Sequence, residues 1–252
     1  MKHFVLFIAT IASLVCIGCS SGKKEAAETK TVGTSTSIEG DSTLYGLACD
    51  GCTDSVLVFL PGKGGDPVTY DIINATMKRR VIGKPKVGDW VAVILNGENP
   101  RKADMVIDLD ELKGTWVELV TPTRREQVAA LDLAEDARRI QDSIVESLMK
   151  PVEIGFSLKR HYTAQPFGRR FRNTTSDTES PVIFPSPKFY TEWHVVNGKL
   201  VLSISERVRL EHSDSTKMMV VGHDTVDFIL MTKDSLRLKF KDGERGYYRK
   251  NQ

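Results

Sequence analysis

Four cysteines fall in two C-x-x-C pairs, Cys16-Ile17-Gly18-Cys19 and Cys49-Asp50-Gly51-Cys52. A structural zinc site wants four nitrogen or sulfur donors at close spacing, and two such pairs have the right ligand types. A dithiol redox centre is the other chemistry they suggest, provided that a helix N-terminus depresses the first thiol's pKa. Neither context is met. The first pair ends an apolar N-terminal run, and no histidine lies between Cys52 and His161. Cys52 leads through Thr53-Asp54-Ser55 into Val56–Leu60, which reads as a strand and not a helix. No metal and no cofactor are expected. Once exported, Cys49 and Cys52 are expected to be oxidised to a local disulfide across the Asp50-Gly51 turn. Its loop is too short to stabilise by much.

Other groups that could do chemistry lack the surrounding pattern. Pro61-Gly62-Lys63-Gly64-Gly65 misses the spacing and the following helix of a phosphate loop, and reads as a hairpin turn. There is no Gly-x-Ser-x-Gly elbow, and nothing completes a triad around His223-Asp224. Asp108, Asp110 and Glu111 fall between two β regions and are expected to solvate a linker. The chain is therefore expected not to be an enzyme. Lys159, Arg160, His161, Tyr162, Phe167, Arg169, Arg170, Phe171 and Arg172 form a dense basic–aromatic cluster. Its guanidiniums and rings could grip an anionic lipid or glycan, with Lys159, Arg160, Arg169, Arg170 and Arg172 as the patch. A solvated strand end and loop is the preferred reading. Asp-Ser-apolar tripeptides such as Asp54-Ser55-Val56 and Asp142-Ser143-Ile144 are ordinary turn and cap chemistry, although some bacterial envelopes glycosylate such sites. The net charge of +2 supplies no electrostatic ground for nucleic acid.

The elements that must position these residues begin with Lys2-His3 and the apolar run Phe4–Gly18. A membrane-spanning helix needs about twenty residues, so this run suits a secretory signal better. Gly18-Cys19 resembles the lipobox of bacterial lipoproteins, with Cys16 standing where an aliphatic residue is usual. The resemblance implies that residues 1–18 are removed, that Cys19 carries lipid, and that the protein is anchored in a membrane. Ser20 after the cysteine implies the outer membrane. A plain signal peptide cut near Gly18 and a retained anchor are the alternatives. Residues 19–43 are polar and small, and read as a flexible tether.

Residues 44–110 alternate β-branched runs with turn formers. Strands are expected at Leu44–Cys49, Ser55–Leu60, Val68–Ile72, Arg80–Ile82, Asp89–Leu95 and Ala103–Leu109. That is a small β-barrel domain. Its Val87-Gly88-Asp89-Trp90-Val91 resembles a strand start of OB-like and SH3-like barrels. Residues 123–149 are expected to be one long surface helix, with Thr123 and Glu126 as capping box. Val128, Leu131, Ala134, Ala137, Ile140, Ile144 and Leu148 form its apolar stripe. Ile154–Leu158 returns to strand, and 163–188 reads as irregular. Strands follow at Tyr190–Val196, Lys199–Glu206, Lys217–Val221, Thr225–Met231, Ser235–Lys241 and Glu244–Arg249, with hairpin turns at Asn197-Gly198 and Asp242-Gly243.

Gly114-Thr115-Trp116 followed by this meander resembles lipocalins, in which the tryptophan closes the base of an up-and-down barrel. The hairpins at Trp193–Leu202 and Asp234–Arg249 resemble those of lipocalin-like domains in bacterial outer-membrane lipoproteins. The expected protein is thus mainly β. A small OB-like or SH3-like barrel precedes a lipocalin-like domain over 111–252 that carries one inserted helix. The resemblance implies a non-catalytic envelope lipoprotein with a small apolar or amphipathic ligand in the barrel. Leu200, Leu202, Phe228, Leu236, Leu238 and Phe240 could instead fill the barrel. In that case the protein would be an adaptor docking other envelope proteins.

Overall fold

The computed structural model describes residues 40–125, 135–168, 180–185, 187–209 and 216–251. Cys19, the expected signal and nearly all of the expected tether lie outside them, as do Arg169, Arg170 and Arg172. The described residues belong to one compact unit.

The first β region is a six-stranded mixed sheet. Its strands are Leu44–Ala48 (β1), Val56–Pro61 (β2), Val68–Asp71 (β3), Val81–Ile82 (β4), Trp90–Leu95 (β5) and Ala103–Asp108 (β6), in the order β3-β2-β1-β5-β6-β4. Only β4 with β6 is parallel. Two short helices, Ile73–Met77 (α1) and Leu109–Leu112 (α2), were not expected from periodicity. The sheet curls until Asp71, ending β3, donates its N–H to the Arg101 carbonyl at 2.9 Å and bridges Lys102 just before β6.

The central strands β5 and β6 bury both faces. Val91, Val93, Ala103 and Val106 point into a core with Leu57, Phe59 and Tyr70. Ala92, Met105 and Ile107 point the other way, into a core shared with the second β region. Two-sided burial accounts for the nearly unbroken apolar run Trp90–Leu95.

The second region is an eight-stranded antiparallel, nearly closed barrel. It is built from Gly114–Val120 (β7), Val152–Leu158 (β9), Ala164–Phe167 (β10), Tyr190–Val196 (β12), Lys199–Arg209 (β13), Thr216–Met231 (β14), Ser235–Phe240 (β15) and Gly243–Arg249 (β16). Each strand pairs with the next in this series except β10 and β12, which are the sheet's two edges. The last pairs with the first, and a Thr163–Glu192 bridge spans β10 and β12. Successive side chains alternate in and out. Strand β15 shows this plainly, burying Leu236, Leu238 and Phe240 and exposing the residues between.

Four expectations need correction. Thr123-Arg124 is a short strand (β8) paired with Val182-Ile183 (β11), so Thr123 is no helix cap. The described helix is Glu135–Leu148 (α3), and residues 126–134 lie outside the described part. Of its described side chains Val145 is the buried one, while Ile140 and Ile144 are 64% and 49% exposed. The stretch 163–188 contains β10 and β11. Lys217–Val221 and Thr225–Met231 are one strand, continuous through a bulge at Val221, where the register jumps from Ile204↔Gly222 to Ser205↔Val220.

Candidate functional site at the open end of the barrel

The barrel has two unlike ends. At the base, Trp116 is fully buried and its indole N–H donates to the Leu112 carbonyl at 2.8 Å. The Arg249 guanidinium lies over the same ring, 4.1 Å from its centroid. It donates to the carbonyls of Lys113 (2.7 Å), Glu111 and Lys233. Burial pulls its pKa down, and these oxygens hold the charge in place. Gly114 has φ +144, and a Cβ there would collide with the Arg249 guanidinium. The Gly-x-Trp spacing is therefore the footprint of an arginine arriving from the last strand.

The first β region seals this end. The expected type of turn at Asn197-Gly198 (φ +48 and +78) is gripped by residues just before β1. The Asn197 N–H donates to Thr43 Oγ1 at 2.8 Å, and the Asn197 side-chain amide donates to the Gly40 carbonyl at 3.0 Å. The Tyr45 hydroxyl donates to the Val195 carbonyl. Asp108, Asp110 and Glu111 are not a solvated linker. Asp108 caps α2 through the Glu111 N–H at 2.9 Å. Asp110 and Glu111 accept the backbone N–H groups of Trp90 and Lys84, both at 2.6 Å. Burial pushes the Asp108 carboxyl up to about 7, with Asp89 and Glu111 adding to the rise.

Lys159 and Arg160 are also at the base, in the β9–β10 turn. Lys159 Nζ donates to Gln165 at 2.6 Å, and Arg160 is in electrostatic reach of Asp110. This turn puts two non-glycine residues, His161 and Tyr162, at φ +57 and +56. That conformation costs roughly 1–2 kcal/mol per residue. Stacking of Tyr162 on His194 (5.0 Å) and its contact with Trp193 (5.3 Å) offset it. Within the described residues the expected anionic-ligand patch comes down to Lys159, which is hydrogen-bonded to Gln165, and Arg160, which lies near Asp110. Cys49 and Cys52 lie in the β1–β2 connection. Both thiols are free, and Cys52 Sγ accepts the Val58 N–H at 3.3 Å.

The other end is built differently. Inward-facing side chains near the base, Trp116, Leu158, Trp193, Leu200, Leu202, Leu236 and Leu238, are at most 2% exposed. Further up, the inward-facing Glu118, Val120, Ile204, Asp224 and Arg245 are only half-buried. This end of the interior, the cup, has half-buried apolar walls and a ring of half-buried polar groups.

Each polar group is placed by register. Glu118 stands two residues beyond Trp116 and opposite Ile154, so it shares their face. Arg245 and Tyr247 oppose Leu238 and Leu236. Asp224 opposes Leu202. Asp224 accepts from the Tyr190 hydroxyl at 2.5 Å and from Lys188 at 2.7 Å. Arg245 reaches Asp242 at 2.5 Å and covers the Phe240 ring at 4.9 Å. Burial raises the Tyr190 and Tyr247 hydroxyl pKa values, so both stay neutral. Burial also raises that of Glu118, with Arg245 opposing and Asp242 reinforcing the rise. The sequence reading missed this ring, although the two-residue step from Trp116 to Glu118 was its signal.

Among the described residues no cluster of His, Cys, Asp and Glu could hold a metal, and no helix is long and apolar enough to cross a membrane. No protein-family model, curated protein or solved structure matches the chain.

Proposed function

We propose that the chain is a non-catalytic envelope lipoprotein, anchored to the outer membrane through lipid on Cys19, whose barrel takes a small apolar or amphipathic ligand at its open end. The observation that carries the ligand reading is the gradient inside the barrel, from a dry apolar base to half-buried walls bearing a few convergent polar groups. Concave apolar sites with sparse, placed polar groups are where small molecules bind. The lipocalin-like assignment is supported by the meander and by the meeting of Trp116 and Arg249. An OB-like first region is supported by the strand order, by α1 after β3, and by the parallel approach of β3 to β6.

A second reading, the adaptor, has its own support. Strands β13 and β14 run past the barrel as a two-stranded ribbon that exposes Val208, Met218, Met219, Val220 and Val221. Exposed apolar surface of this kind suits a protein partner. Native mass spectrometry of the exported protein separates the two. The carrier reading expects a co-purified small molecule, and a barrel that is always empty leaves the adaptor. Loss of fatty-acid incorporation in Cys19→Ala but not in Cys16→Ala is the expected result for the anchor. Label retained in Cys19→Ala would refute it.

A further inference from the structure

We propose that the cup selects an amphiphile with a cationic, amine-bearing head, and that Glu118 is the residue that recognises it. This rests on the carrier reading above and adds the chemistry of the head group.

The argument is one of charge accounting within the ring. Lys188 is paired with Asp224, which the Tyr190 hydroxyl also satisfies. Arg245 is paired with Asp242 and held over Phe240. Two ion pairs cancel, and one carboxylate is left. Among the described residues no hydrogen bond reaches the Glu118 carboxylate. Arg245 is close enough to be felt by it but is bonded elsewhere. A carboxylate drawn partly out of water is costly unless a donor satisfies it. Here it points inward, between the apolar floor and the mouth. An ammonium group supplies the missing donors and the missing charge together, in a short charge-assisted bond. Its alkyl chain would lie against Val120 and Ile204, whose side chains are half-buried in the free protein.

The arrangement also has the cost expected of a binding group. An unsatisfied, desolvated carboxylate destabilises the free protein, so removing its charge should leave the fold at least as stable while removing the ligand. A residue kept for structure would do the reverse. Glu153 is the contrast on the outer face of the neighbouring strand. It accepts from the Tyr248 hydroxyl at 2.6 Å and pairs with Lys250.

The test is calorimetric titration of the full chain with three probes of equal tail, octylamine, octanol and octanoate. Octylammonium should bind saturably and about tenfold or more tighter than octanol. Glu118→Gln should weaken it by a similar factor without lowering the melting temperature. Glu118→Asp, which keeps the charge, should retain part of the affinity, and Glu244→Gln on the outer face should retain all of it. Equal binding of octanol, tighter binding of octanoate, or equal loss in Glu118→Asp and Glu118→Gln would overturn the head-group inference and leave the carrier reading standing. If none of the three probes binds, both fail.

Discussion

The base and the cup of the barrel are made from the same strands, yet they solve opposite problems. At the base the chain brings together parts far apart in sequence. Gly40 and Thr43 hold the turn at Asn197, Lys113 and Trp116 meet Arg249, and a Cβ on Gly83 would press on Met231. Trp116, Arg249, Asp110 and Glu111 all bond to backbone there, and the apolar side chains between them are dry. In the cup the same alternation turns polar residues inward and leaves them half-wet. The base has no freedom to accept a ligand because its space is occupied by its own side chains. The cup has partners to offer because its charges are only partly spent. Burial is uniform along neither β7 nor β16, and each strand runs from lock to opening within a few residues.

The comparison breaks most directly at Trp116. Truncating a fully buried tryptophan in a packed interior costs about 3–5 kcal/mol. Trp116→Ala should therefore lower the urea midpoint of both β regions together, because their core is shared. Separate transitions for the two regions would mean that the base is not the common lock.

A second break uses proton linkage. Asp108 is 1% exposed, with its carboxyl pushed from 3.8 to about 7. The folded state then binds a proton that the unfolded state has already released, so stability is full below the unfolded value. It falls as pH rises towards about 7 and levels off above it. At roughly 1.4 kcal/mol per pKa unit, the loss between pH 4 and pH 8 is on the order of 3 kcal/mol. Asp108→Asn keeps an acceptor for the Glu111 N–H and should flatten this slope in urea melts across that range. An unchanged slope in the variant would show that another group is responsible.

Gly198→Ala is a smaller insult to the same end. The turn needs φ +78 there, and a Cβ would come within 2.9 Å of Met105 Sδ in the first region. Left-handed strain of roughly 1–2 kcal/mol is expected, with a lower melting temperature to match. Gly243→Ala, with open space around its Cβ, separates the strain from the contact.

Much of this frame was legible because its signals are local. Period-two burial in β13 and β15 and the pairs Asn197-Gly198 and Asp242-Gly243 can be read from a few residues each. Elements decided by distant partners were not. Thr123 carries a helix-capping spacing to Glu126, but pairing with Ile183 draws it into a strand. Strand β10 hides behind Pro166, which is tolerated because β10 has a full ladder on one side only. The bulge at Val221 made one strand look like two. Asp108, Asp110 and Glu111 looked like linker solvent groups, since nothing local announces the backbone of Trp90 and Lys84 above them. Glu118 was not singled out in the sequence, because its inward face follows only once Trp116, two residues before it, is known to be buried.

In the cup the expected costs are lower. Tyr190→Phe removes the 2.5 Å bond to Asp224, which Lys188 still partners. A net loss of about 1 kcal/mol is expected, seen as a modest shift in melting temperature. A loss as large as that of Trp116→Ala would mean that the cup, too, is part of the lock.

The smallest effect should come from the ribbon above the cup. Met219 lies on a two-stranded extension, is 47% exposed, and sits opposite Glu206. Little apolar area is withdrawn from water there, so little is lost when it is made polar. Surface substitutions away from packed features stay within about 0.5 kcal/mol. Met219→Thr keeps strand propensity while removing apolar surface, and its urea midpoint should match that of the parent. If an adaptor partner covers this ribbon, the same variant should weaken that complex while leaving ligand titrations in the cup unchanged. Parallel loss of cup binding would show that ribbon and cup form a single site, and the contrast between the barrel's ends would then need a third region.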